Sequence, residues 1–99
     1  MFIAKVIGNV ISSHKTENMN GLPLRIVQQF SPENKATENY LIAVDVLNAD
    51  LGEMVLVTTG SSARQTHLTD AHPCDAVIMA IVDTWQTEGQ TRYDKAHTA

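Results

Sequence analysis

The run from Gly60 to Asp75, GSSARQTHLTDAHPCD, gathers the side chains best suited to chemistry. A phosphate loop needs G-x-x-x-x-G-K-[ST], and Gly60–His67 lacks both the second glycine and the lysine. An anion could still rest on a helix N-terminus beside Arg64. A serine nucleophile calls for a G-x-S-x-G elbow, which is missing, and a triad, which is defined by geometry, does not follow from Ser62, His67 and Asp70 being near in sequence. His67, Asp70, His72, Cys74 and Asp75 are all ligand types, but their spacing matches no zinc pattern and no second Cys/His pair accompanies them. They read as a polar surface loop. The residues therefore predict no catalytic group, no cofactor and no metal site, and a protein that is not an enzyme.

Composition narrows the alternatives. Ninety-nine residues, 43% of them hydrophobic, suffice for one domain with one core. A net charge of −4 opposes binding to a phosphate backbone, which requires a basic face. Five scattered aromatics are few for stacking single-stranded bases, so Trp85 and Tyr93 read as core or interface packing. No apolar run approaches the roughly 20 residues that cross a bilayer, and the first residues lack the pattern of a secretory signal. A single cysteine, Cys74, fits a reducing compartment.

The elements that would position the Gly60 loop are strands. Residues 2–13 alternate, with Phe2, Ala4, Val6 and Val10 on one face, and Gly8 marks a bulge or bend. Asn20-Gly21 is a turn, after which Leu22, Leu24, Ile26 and Phe30 share a face. SPENKATEN reads as a loop, followed by a strand with Tyr40, Ile42, Val44 and Val46 on one side and Asp45 opposite. A turn containing Gly52 precedes the strand MVLVTT. Ser61 or Ser62 is placed to cap a short helix through ARQTHL. DAVIMAIVDTWQ suits helix or strand by pattern, and its β-branched residues favour strand. GQTRYDK adds a short last strand. The sum is an all-β fold, a small five-stranded β-barrel of the OB-like kind, with one short helix between late strands. It would occupy residues 1–95 as a single domain, with residues 96–99 fraying.

These residues resemble a known family. Ala4–Ser13 with Lys15, Gly21–Val27, Ala43–Asp45, Leu47–Arg64 and Asp75–Thr84 are similar to the EutN/CcmL family of bacterial microcompartment vertex proteins. The likeness runs from Met1 to about Asp83. One departure falls at the turn where the family has GAG-x-GE. This chain reads Asn48-Ala49-Asp50-Leu51-Gly52-Glu53, and Asn and Asp tolerate left-handed backbone better than other non-glycines. The resemblance implies a homopentamer that caps the vertices of a polyhedral shell in the bacterial cytoplasm, beside hexameric shell proteins. The G-S-S-A-R-Q form points to a metabolosome rather than a carboxysome. The resemblance also places Asn48, Asp50, Gly52, Glu53, Gly60, Ser61, Ser62, Ala63 and Arg64 in the pentamer interface or pore region, with Arg64 bonding a neighbouring chain. The competing reading is an OB-like barrel that binds nucleic acid or oligosaccharide, which charge and aromatic content disfavour.

Overall fold

A computed structural model describes residues 1–11, 21–60 and 75–97. The first strand, β1 (Phe2–Val10), buries Ala4 and Val6 and then changes phase. Val6 faces Val27 across the pair, but the next partner, Ile26, faces Gly8, so Ile7 is an extra residue. That bulge sits where Gly8 predicts one. Its consequence corrects the simple alternation: Val10 pairs with Leu24 on the outer wall and leaves the face shared by Phe2, Ala4 and Val6.

Strands β2 (Leu24–Phe30), β3 (Ala36–Asp45), β4 (Met54–Thr59) and β5 (Ala76–Ile81) complete the barrel. The order around it is β1-β2-β3-β5-β4, closed by β4 against β1, and only β3 and β5 run parallel. This is the five-stranded closed barrel expected from the sequence. The core joins Ala4, Val6, Val27, Ala43, Val55, Val57 and Ile78, all fully buried, with Phe2 and Ile81 packed against it. The small residues Ala4 and Ala43 let so narrow a barrel close around its own side chains. The short helix expected through ARQTHL and the candidate ligands His67–Cys74 lie outside the described residues.

Two differences from the sequence reading have local causes. Residues 36–39, read as loop, begin β3, because Ala36 pairs with Phe30 and the Thr37 hydroxyl donates to the Gln29 carbonyl at 2.8 Å. The expected strand DAVIMAIVDTWQ breaks at Val82-Asp83. There the Val82 amide donates to the Met54 carbonyl at 2.8 Å, and a separate hairpin begins. This hairpin, β6 (Thr84–Thr87) and β7 (Gln90–Asp94), is a two-stranded sheet of its own, followed by a 3-10 turn, Lys95–His97. Glu88 and Gly89 make its reversal with φ of 51° and 75°, the pair of positive values that matches strand twist in a two-residue hairpin. Trp85 and Tyr93 stack across it with centroids 5.1 Å apart.

Candidate assembly surface

The connection from β3 to β4 is organised by one buried carboxylate. Asp45 ends β3 with its side chain wholly inaccessible, on the face that carries Ala43. Its Oδ2 accepts from Arg25 Nε at 3.0 Å and from the Ala49 amide at 2.8 Å, while Oδ1 accepts from the Leu47 amide at 2.9 Å. Arg25 in turn donates to Asn9 Oδ1 at 2.8 Å, tying the turn back to β1. A carboxylate holding two amides and a guanidinium fixes residues 45–49 as a unit. In the sequence Asp45 stands opposite an apolar face and, like Arg25, within a stretch that resembles the family, and no role is read there for either residue. A signal was present, since Arg25 is the one charge in β2 and Asp45 directly follows the apolar run Leu41–Val44.

The rest of the turn is closed by Glu53. Its Oε1 accepts from the Asp50 amide at 3.0 Å, its Oε2 takes Lys95 Nζ at 2.9 Å, and its amide donates to the Asp50 carbonyl at 3.2 Å. The Asp50 amide first, and then Lys95, hold the Glu53 carboxyl below its ordinary value of 4.5. The same pair raises the Lys95 ammonium above 10.5, chiefly through its hydrogen bond to Glu53. Gly52 donates to the Val6 carbonyl at 2.7 Å, and Val6 donates to the Glu53 carbonyl at 3.0 Å. Asn48 and Gly52 carry the left-handed backbone, with φ of 58° and 88°. Asp50 does not, so an aspartate at that position creates no backbone strain.

The outer wall of the barrel also carries apolar residues. Ile26 faces Ile42, Leu24 faces Val44 and Gln28 faces Tyr40 across β2–β3. These are the apolar faces that alternation picks out, yet the residues reaching the core from these strands are Val27 and Ala43. Leu22, Leu24, Val44, Val46 and Val77 cover part of this wall as a second cluster. Tyr40 and Ile42 remain 57% and 56% exposed, with Leu41 also exposed and Ile26 half-buried beside them. Ile26 lies over Gly8, where an added Cβ would stand 3.4 Å from Ile26 Cδ1. Contiguous apolar surface of this kind marks an interaction site.

The residues singled out from the sequence do not form one cluster. Asn48, Asp50, Gly52 and Glu53 share the turn before β4. Gly60 lies at the other end of that strand, roughly 23 Å away by the rise of seven extended residues. It is exposed, has φ of 68°, and donates to the Asp75 carbonyl at 2.8 Å. Ser61, Ser62, Ala63 and Arg64 lie outside the described residues. Among the described residues, no group of three His, Cys, Asp or Glu side chains could hold a metal ion.

By fold and surface, this is a small closed barrel whose outside, rather than any internal cavity, offers a place for a partner. Residues 1–83 match the family described as ethanolamine utilisation protein EutN/carboxysome. The chain belongs to that EutN/CcmL family. It is 39% identical to the carboxysome shell vertex protein CcmL of Synechocystis sp., over 96% of this chain and 95% of that protein. The structure of CcmL from Gloeobacter violaceus superposes with a TM-score of 0.93 at 34% identity, covering 97% of this chain and 99% of the other. GrpN of Rhodospirillum rubrum, a pentameric microcompartment shell protein, superposes at 0.80 with 38% identity, covering 88% and 99%. These relatives are shell vertex proteins of bacterial microcompartments.

Proposed function

We propose that this chain is a structural protein that assembles into a homopentamer and caps the vertices of a polyhedral microcompartment shell in the bacterial cytoplasm. The observation that carries the reading is the match to vertex proteins along nearly the whole of both chains. The apolar outer wall supports it physically, because a barrel of this size stabilises itself further by burying Ile26, Tyr40 and Ile42 against a second copy. Geometry supplies the role. Hexagonal tiles alone make a plane, and a head-to-tail contact that closes after five copies supplies the point where the plane can bend shut.

In this reading the 48–53 turn and residues 60–64 belong to the pentamer interface or pore region, and hexameric shell proteins are the flanking partners. The role is scaffolding rather than catalysis, and nucleic acid is not a ligand. We assign the compartment to the metabolosome type on the G-S-S-A-R-Q form of residues 60–65. Deleting the gene tests the function: shells should become open, elongated or leaky while the enzymes inside stay intact. Closed polyhedra of normal shape, in a strain without a second vertex protein, would overturn it. Carboxylase cargo in shells containing this chain would overturn the metabolosome assignment alone.

A further inference from the structure

We infer that the β6–β7 hairpin and its 3-10 turn form a strap that releases from the barrel as a unit, and that Glu53 and Lys95 are the latch at its base. The strap shares no sheet with any barrel strand; its ladder is internal. A two-stranded hairpin is at best marginal in water, so what seats it decides whether it is ordered. Among the described residues, three side-chain hydrogen bonds help to seat it, at two places. At the 31–35 turn, Trp85 Nε1 donates to the Pro32 carbonyl at 2.7 Å, and Asn34 Nδ2 donates to the Arg92 carbonyl at 2.9 Å. Asn34 is held ready for this by a φ of 64° and by its amide bond to the Ser31 carbonyl. At the 48–53 turn, Lys95 Nζ meets Glu53 Oε2.

The strap also closes on itself. The Lys95 amide donates to the Asp83 carbonyl at 2.8 Å, the Thr84 hydroxyl donates to the Tyr93 carbonyl at 2.9 Å, and Trp85 stacks on Tyr93. These bonds couple its residues to one another, so that when its attachments break the strap opens as one cooperative unit rather than fraying residue by residue. Of these three attachments among the described residues, the latch is the ionic one. Glu53 is 15% exposed and Lys95 47% exposed, so salt reaches the lysine side of the pair. Because Glu53 also closes the 48–53 turn through the Asp50 amide, seating the strap and ordering that turn are one event. All of these contacts lie within one protomer.

Hydrogen exchange on the full-length protein tests it, with fluorescence of Trp85, the chain's one tryptophan, as a second readout. Amides of residues 84–94 should open together and faster than those of Val55, Val57 and Ile78. Lys95→Met should speed the strap amides about two- to fivefold, the scale of one exposed ion pair, with barrel amides unchanged. Added salt should do the same to the wild type and little to Lys95→Met. Trp85→Phe, which removes the bond to Pro32, should loosen the same set of amides from the other attachment. Strap and barrel amides shifting together, or strap amides indifferent to both substitutions, would overturn the inference. Measuring above and below the concentration at which the protein dissociates separates this result from the pentamer reading, since the latch lies within one chain.

Discussion

Asp45→Asn should be the most damaging near-isosteric change in the described part of the chain. The carboxylate is fully buried and accepts three hydrogen bonds, two of them at Oδ2. In the best orientation the amide oxygen takes the Oδ2 position and keeps Arg25 and Ala49, but the amide nitrogen then confronts the Leu47 N–H. One bond to a charged group is lost, about 1.5–3 kcal/mol. Arg25, only 16% exposed, also loses its counter-charge, and breaking a buried pair from one side costs roughly 3–5 kcal/mol. These two estimates overlap, and a net loss of about 3 kcal/mol is expected, a large share of the roughly 5–15 kcal/mol of a whole domain. Urea unfolding at fixed protomer concentration measures it, because association adds its own stabilisation. Exchange at the Leu47 and Ala49 amides locates it. Arg25→Met with Asp45→Asn should cost less than the sum of the two single changes, since the pair is removed together. A loss below about 1 kcal/mol with both amides still protected would refute the role given to Asp45.

Three further outcomes follow from the same geometry. Asn48→Gly should be nearly neutral, whereas Asn48→Val should cost about 1–2 kcal/mol in thermal or urea unfolding, because a β-branched residue resists a φ of 58°. Ile42→Asp should weaken self-association about thirtyfold, from about 2 kcal/mol of lost apolar burial per contact, while the circular dichroism of the barrel stays unchanged. The Glu53 carboxyl is held below 4.5, so its contribution is complete above that pH and disappears as pH falls through the lowered value. The stability gap between wild type and Glu53→Gln should therefore close on acidification below pH 4.5, and a constant gap would contradict the assignment.

Much of the barrel is legible in the sequence because period-two patterning is a local property. The bulge at Gly8 and strands β4 and β5 can be read from residue types alone. Which face of β2 and β3 points inward cannot, because both faces carry apolar residues. Leu24, Ile26, Tyr40 and Ile42 form the more hydrophobic set, yet they lie on the outer wall. The reason is spatial: the inside of so small a barrel has room for Val27 and Ala43 from these strands, while larger residues fit outside. The break at Val82-Asp83 escapes the pattern because Thr84 and Trp85 continue a β-favouring run, and only a change of hydrogen-bond partner ends the strand. The Glu88-Gly89 reversal is hidden for another reason, since glutamate is not a residue that signals positive φ. At the candidate surface, the 48–53 turn is visible through Asn48 and Gly52. Its anchors Arg25, Asp45 and Lys95 come from 20 or more residues away in the chain or face inward, and their roles emerge only on folding.

Native mass spectrometry of the full-length protein at micromolar concentration decides whether the chain closes into a ring of five. A dominant species of five times the 10.9 kDa protomer is expected, dissociating to folded monomer when Ile42 is replaced by Asp. A wild-type protein that runs as a monomer, or closes at six copies, would contradict it.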